Sequence, residues 1–542
     1  MKFKNIIRLG LLATTTLVVV ATGCKKQDFS NTDPDSITSE TVDYRTVLPA
    51  SMTSTATVIE GTSFKFLQNW MGYWARSGSY QDITEEETYS FTNDFNVGVW
   101  NGLYSNATNY DFVVRKANEK GAGFYEAVAR IMKSLDMQML VDIYGNVPYS
   151  EAFQGAANRT PAYDNSQNIY DSLFVQLDLA ITLLKDPISI DPDKNVGIAD
   201  NDLIYGGDVT SWIKMANTLK LRMALHAFQV PSFDAAGKIA AIEAEGTGYI
   251  GVGESAELNP GYTATKPTPY YRANVKTETG VAAPNGASVR ANAFSVGPNA
   301  GAPNSLGYYE YNGDPRLDRF YTAPASGVQR GIQYGEIAGT NAGNTGDKLS
   351  TIDGIGYLPD GAASRAWILT DFESIFLQAE AANRGYITSG GPTAAKDLTN
   401  LGIQRSFIWL GLTAADADAY ITGNATYPDV DYDGVSQGPG LPDGGIFTIL
   451  SQKWFALNGV NTLESWTDWR RTDFQLGDGA GYVEGPPLSV NPNRPAAVGV
   501  PIRLFYPQNE YNYNSASVLA QGSVNITQSA TPATGRIFWD IN

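Results

Sequence analysis

GFYEAVARIMKSLDMQMLVDIYGNVPY, Gly123 to Tyr149, decides the fold class. Phe124, Val128, Ile131, Leu135, Met139 and Ile143 recur every three or four residues, so one face of a helix is apolar over its whole length. Gly145 and Pro148 then stop it. The same period runs through Trp100, Leu103 and Ala107, and through Ile169, Leu173, Leu177 and Ile181. Amphipathic helices in succession bury their faces only against one another, so the stretch from about Ser63 to Glu245 is expected to stack as helix pairs. From Gly246 to Arg365 the composition shifts to Gly, Asn, Pro, Ala and Tyr, and the helical period fades. A loop-rich insertion of that length is expected to be functional. Helix returns at about Ile368–Asn383, Ala394–Leu412 and Phe447–Leu457, and in TLESWTDWRRTDF. The tail 475–542, rich in Pro and Asn, is expected to wrap the helices as ordered coil.

The other end of the chain carries its only cysteine. Lys2, Lys4 and Arg8 precede an apolar run from Leu9 to Ala21, too short to span a bilayer, and the small residues of ATG come before Cys24. That is the layout of a secretory signal over 1–23. A cysteine at this point is where bacterial lipoproteins are cleaved and acylated, although Ala21 stands where leucine is more usual. Two or more acyl chains anchor firmly, at about 0.8 kcal/mol per buried methylene. Residues 24–41, polar and bearing Asp28, Asp33 and Asp35, are expected to form a lipidated flexible tether, with the folded part starting near Val42.

Composition removes whole classes of chemistry. Losing Lys2, Lys4 and Arg8 takes the formal charge from −18 to −21, which repels phosphate backbones and argues against nucleic-acid binding. The mature chain has no cysteine for a disulfide, and one histidine cannot build a His/Cys zinc site. His226 shares a helical face with Trp212, Met215, Leu219 and Met223, so it is expected to be a core residue with a satisfied ring.

Seven stretches then match one family in order. They are DIYGNVPYSEAF (142–153), DLIYGGDVTSWIKMANTLKLRMA (202–224), GDPRLDRFY (313–321), FLQAEAANRG (376–385), QKWFALNGVNTLESWTDWRRTDF (452–474), RLFYPQNEYNYN (503–514) and GRIFWDIN (535–542). On these the chain resembles the SusD/RagB-like outer-membrane lipoproteins of Bacteroidetes, nutrient-binding partners of SusC-type TonB-dependent transporters. The resemblance implies a mostly α fold: a tetratricopeptide-like helix-pair scaffold (42–245 and 366–474) with an irregular inserted subdomain (246–365), in a single domain over 42–542. It also implies a lipid-anchored protein at the outer membrane, facing the cell exterior, that delivers a nutrient, most often glycan, to its transporter. Asp28 looks similar to surface-export signals after the lipidated cysteine, with Lys25 and Lys26 intervening. Arg470 and Arg471 are expected to pair with scaffold carboxylates such as Glu464 or Glu380.

A glycan site needs flat aromatic faces beside hydrogen-bonding side chains. Trp70, Tyr73 and Trp74, at i, i+3 and i+4, suit either the core or such a platform. Tyr80 follows in a polar segment, and Tyr270, Tyr271, Tyr308, Tyr309 and Tyr311 lie in the insertion. Trp367, expected on the loop entering the Ile368 helix, lies where the resembling family tends to place a stacking tryptophan. Asp429, Asp431 and Asp433, followed by Gly434, make the first half of a calcium loop. Gly440 stands where a full loop has its bidentate glutamate, and a solvated acidic loop is the alternative. No other cofactor is implied. Three classes of function stay open: glycan capture; glycoside hydrolysis by paired carboxylates, for which no catalytic motif is present; and a helical-repeat scaffold that binds proteins or captures peptide as in RagB.

Overall fold

The helix read from Gly123–Tyr149 spans Gly123–Tyr144 in the computed structural model and is buried over nearly all its length. Gly145 then takes φ +75°, a left-handed value that a side chain would resist, and turns the chain into the short strand Val147–Pro148. The structure describes residues 42–297, 307–391, 393–433, 444–472, 476–477, 482–483 and 486–541. Cys24, Asp28, the signal and the tether lie outside them, as do Gly434, Gly440 and Phe474. No helix among the described residues is long and apolar enough to cross a membrane.

The fold is mostly α. Val97–Lys120 packs on Gly123–Tyr144, which packs in turn on Ser166–Lys185, and Val209–His226 continues the stack with Ala235–Glu245. After the insertion, Asp371–Asn383 pairs with Ala394–Trp409, and Gly444–Leu457 lies across both. Asn165 and Asp208 cap two of these helices, each accepting from backbone N–H groups of the first turn. One helix falls outside the expected pattern. Tyr44–Glu60 is rich in Ser and Thr and has Pro49 inside it, which are poor helix formers. Ser51, Thr53, Ser54 and Thr57 turn their hydroxyls onto carbonyls four residues back, and burial of Leu48, Met52 and Ala56 holds the helix in place.

The insertion contains only short helices and strands, and aromatic side chains fasten it to the scaffold. Tyr309 donates to the Phe455 carbonyl at 2.7 Å, and Tyr357 to that of Asn458 at 2.7 Å. Tyr308 stacks on Phe455 with ring centroids 4.8 Å apart. Two antiparallel ribbons complete the attachment. Trp74–Arg76 pairs with Val289–Ala291, and Ala256–Leu258 pairs with Ala366–Leu369. The first ribbon sets Ala75 opposite Arg290, which brings the segment after Trp74 beside the insertion's outer loops.

Candidate functional site

Six of the nine aromatic candidates are core. Trp70, Trp74, Tyr270, Tyr308, Tyr309 and Trp367 are all buried, with their rings packed on other rings. None offers a face to a dissolved sugar, and the reason in each case is attachment of one part of the chain to another. Trp367 corrects the expectation most clearly: it lies in the strand Ala366–Leu369, and the helix begins only at Asp371. Its backbone N–H donates to Glu60 and its indole N–H to the Val460 carbonyl at 3.0 Å. Glu60 also accepts from Tyr270 N at 3.3 Å, and burial holds its carboxyl well above the usual range, against these two hydrogen bonds.

Tyr80, Tyr271 and Tyr311 keep accessible rings. Tyr271 is half-buried on the short helix Pro269–Asn274. Tyr311 is 38% exposed and stands edge-on to Tyr427, centroids 5.2 Å apart. Tyr80 is 42% exposed and touches no other ring among the described residues. No ring contact joins any two of the three among the described residues. Of the aspartates of the expected calcium loop, Asp429 is buried and accepts from Asn312, while Asp433 is exposed and pairs with Lys396. Burial pushes Asp429 up to about 6 despite the Asn312 bond. Among the described residues only Asp142, His226 and Glu464 gather three such ligand atoms within 4.8 Å.

That cluster is closed by protein groups. His226 Nδ1 meets the Tyr170 hydroxyl at 3.0 Å, and Nε2 meets Glu464 Oε2 at 3.1 Å. Trp539 Nε1 donates to Asp142 at 3.0 Å. Burial pulls the His226 pKa down, but Glu464 and Asp142 outweigh it, and the net shift is upward. Arg471 pairs with Glu380 at 2.6 Å, as expected. Arg470 donates to the carbonyls of Asp142 and Ile502 and lies over the Trp466 ring, with the carboxylates of Asp540, Asp142 and Glu464 in electrostatic range.

Around Tyr80 the arrangement is different. Ser77–Asp82 forms a turn whose geometry is imposed by Arg76, itself buried to 4% exposure. The Arg76 guanidinium donates to Glu87 at 2.7 Å, to Asp82 at 3.0 Å, to the Glu336 carbonyl at 2.7 Å and to the Tyr80 carbonyl. The loop 336–348 closes the other side. Ala338 N donates to Asp82, Gly339 N to the Gly78 carbonyl at 3.1 Å, and Gly346 N to Ser79 Oγ at 3.0 Å. Arg290 borders the same loop, its Nε donating to the Gly346 carbonyl at 2.8 Å. Burial draws the Arg290 pKa down, while the Tyr80 phenol, Asp353 and Asp347 act in the opposite sense. The result is an exposed ring on a turn fixed from below, bordered by a polar loop and a guanidinium. Such a surface suits stacking on a sugar face and hydrogen bonding to hydroxyls. The sequence points to Tyr80, and to Arg76 only as a polar neighbour of the Trp70, Tyr73 and Trp74 trio; it gives no sign of Arg290 or of the Glu336 carbonyl that Arg76 meets 260 residues away.

The fold and this surface define a helical-repeat protein with a stapled insertion that presents a rigid aromatic turn. Residues 36–507 match the SusD-like family described as starch-binding and associating with the outer membrane, and the chain belongs to that family. A chitin-binding SusD homologue from Flavobacterium johnsoniae shares the fold with TM-score 0.69 at 22% identity, covering 92% of this chain and 99% of its own. A SusD-like protein from Bacteroides thetaiotaomicron does so with TM-score 0.67 at 23% identity, covering 91% and 99%. A SusD homologue from Bacteroides ovatus gives TM-score 0.68 at 22% identity over 92% and 100%. No curated protein matches the chain.

Proposed function

We propose that the protein is a cell-surface lipoprotein, anchored in the outer membrane through Cys24, that captures an oligosaccharide and passes it unaltered to a SusC-type TonB-dependent transporter. The observation that carries the reading is Tyr80: an exposed ring on a turn that Arg76 and the 336–348 loop hold rigid. A preorganised platform of this kind loses little entropy on binding. Membership of a family described as starch-binding supports a glycan ligand, and the chitin-binding homologue supports the same class.

Calorimetry of the mature chain against starch- and chitin-derived oligosaccharides, with product analysis on the same samples, tests it. Heat without products is expected, and Tyr80→Ala should remove most of it. Released products would make the chain a hydrolase; heat with peptides alone would make it a peptide-capturing protein. Copurification of a SusC-like transporter from native outer membranes tests the partner, and its absence under mild detergent would count against delivery.

A further inference from the structure

Arg290 is unlike most guanidiniums placed at the core and its margins. Arg76, Arg222, Arg316, Arg405 and Arg471 each face a carboxylate within 4.0 Å. Arg503 faces none, but all three of its nitrogens donate to backbone carbonyls. Arg290 forms no carboxylate pair among the described residues, and its hydrogen bonds go only to the carbonyls of Gly346, Gly286 and Val289. Those bonds use Nε and Nη1. Nη2 has no protein acceptor among the described residues and is not a buried atom without a partner, so it reaches solvent. Asp347 and Asp353 stand within electrostatic range, but neither closes to a salt bridge. Other carboxylates of the turn and loop are committed elsewhere: Asp82 and Glu87 to Arg76, and Glu336 to Asn344 at 2.7 Å. On the same loop Lys348 is exposed and donates to the Ala342 carbonyl at 2.7 Å, again without a carboxylate partner among the described residues.

Gly346 makes this placement possible. A Cβ there would stand 2.9 Å from Arg290 Nη2 and 3.1 Å from Ser77 Oγ, so a side chain at this position would push the guanidinium aside from the loop beside the Tyr80 turn. In a chain with 56 acidic and 38 basic residues, a half-buried guanidinium without a carboxylate partner keeps an open end that an anionic ligand group can take.

We infer that the Tyr80 surface selects oligosaccharides bearing an acidic group, a carboxylate or a sulfate ester, which Arg290 holds while the Tyr80 ring stacks on a neighbouring sugar. This rests on the glycan reading of the site and deepens it. The planar fork of arginine matches either oxyanion geometrically, and a charge-assisted hydrogen bond is about twice as strong as a neutral one. Long-range repulsion from the net negative charge works against any anionic ligand, so the recognition must be local.

The test is calorimetry of the mature chain with three probes on one backbone: a neutral oligosaccharide, its uronate-bearing form and its sulfated form. At low salt at least one acidic probe is expected to bind about tenfold or more tighter than the neutral probe, equivalent to about 1.4 kcal/mol. That ratio should shrink several-fold between roughly 0.05 and 0.5 M salt. In Arg290→Gln the ratio should fall to within about twofold of one, and Arg290→Lys, which keeps charge without the fork, should lie between. The uronate and sulfate arms show which oxyanion is preferred. Equal affinity for all three probes in the wild type, or an acidic preference that survives Arg290→Gln, overturns the inference while leaving glycan capture standing. Binding of every probe undiminished in Tyr80→Ala overturns the placement of the site itself. Where a substitution impairs folding, the probe ratio and its salt dependence in the unaltered protein still decide between the two outcomes.

Discussion

The Asp142, His226 and Glu464 node and the Tyr80 turn use the same parts: aromatic rings, arginines and carboxylates. In the node every charge has a partner and every ring has a neighbour. Arg471 lies between Glu380 and Asp468 at 2.6 and 2.7 Å with no exposure, and burial's upward push on Glu380 is more than reversed by Arg471 and Arg384. At the Tyr80 turn the interior half is built likewise, with Arg76 paired to Glu87 and Asp82, but the outer half leaves a ring face and one end of a guanidinium open to solvent. Saturated polar networks give shape, whereas unsaturated ones at a rigid surface give a place to bind.

The comparison breaks most sharply in the interior. Arg471→Ala leaves Glu380 with Arg384 and Asp468 with Lys453 as their remaining ion-pair partners in the core, and should cost about 3–5 kcal/mol in denaturant unfolding, or prevent folding outright. Trp367→Ala should cost a similar amount, about 3–5 kcal/mol, by opening a cavity between the insertion and the scaffold. A loss below about 1 kcal/mol would return Trp367 to the surface.

The next effect is a pH dependence. Burial pushes the Asp136 carboxyl up to about 8, against hydrogen bonds from Asn106 and Thr55. Its folded value lies above the unfolded one near 3.8, so the folded state binds the extra proton between them. Its stabilising contribution is therefore complete below about pH 4, declines through the interval at up to about 1.4 kcal/mol per unit, and is gone above about pH 8. Asp136→Asn should flatten unfolding free energy across that window, and an unchanged slope would assign the dependence to other groups. Asp429, up to about 6, acts in the same direction over a narrower range.

At the surface the effects are smaller and appear in binding, not in stability. Tyr80→Ala should weaken glycan affinity by about 1–2 kcal/mol, with stability within about 0.5 kcal/mol of wild type. Gly346→Ala, which crowds Arg290 Nη2, should reduce affinity by a few-fold, about 0.5–1 kcal/mol. A matching loss of stability in either variant would move that residue from the surface class to the interior one.

The scaffold was legible because helix packing writes a local signal. Phe124 to Ile143 and Ile169 to Ile181 face the core at the spacing one turn requires, and each residue's neighbours lie within the same window of sequence. Tyr44–Glu60 was not legible, since its Ser, Thr and Pro49 oppose helix locally and only its buried face compensates. The aromatic candidates were harder still. Tyrosine and tryptophan in a loop carry no period, and their partners are distant: Tyr309 finds Phe455, 146 positions on, and Tyr73 finds Trp454, 381 on. Composition could nominate them but could not say which way they turn. Trp367 had one overlooked signal, the four apolar residues of AWIL, which suit a buried strand better than a loop.

By itself the sequence determined the helical class, the family, and a composition with a single cysteine and a single histidine. Periodicity, composition and ordered motifs are properties of the chain read in one dimension. Only the tertiary structure decided that Trp367, Trp70 and the paired tyrosines join the insertion to the scaffold, while Tyr80 and Arg290 face outward. Exposure is what remains after every other surface has been buried, and that depends on contacts between residues hundreds of positions apart.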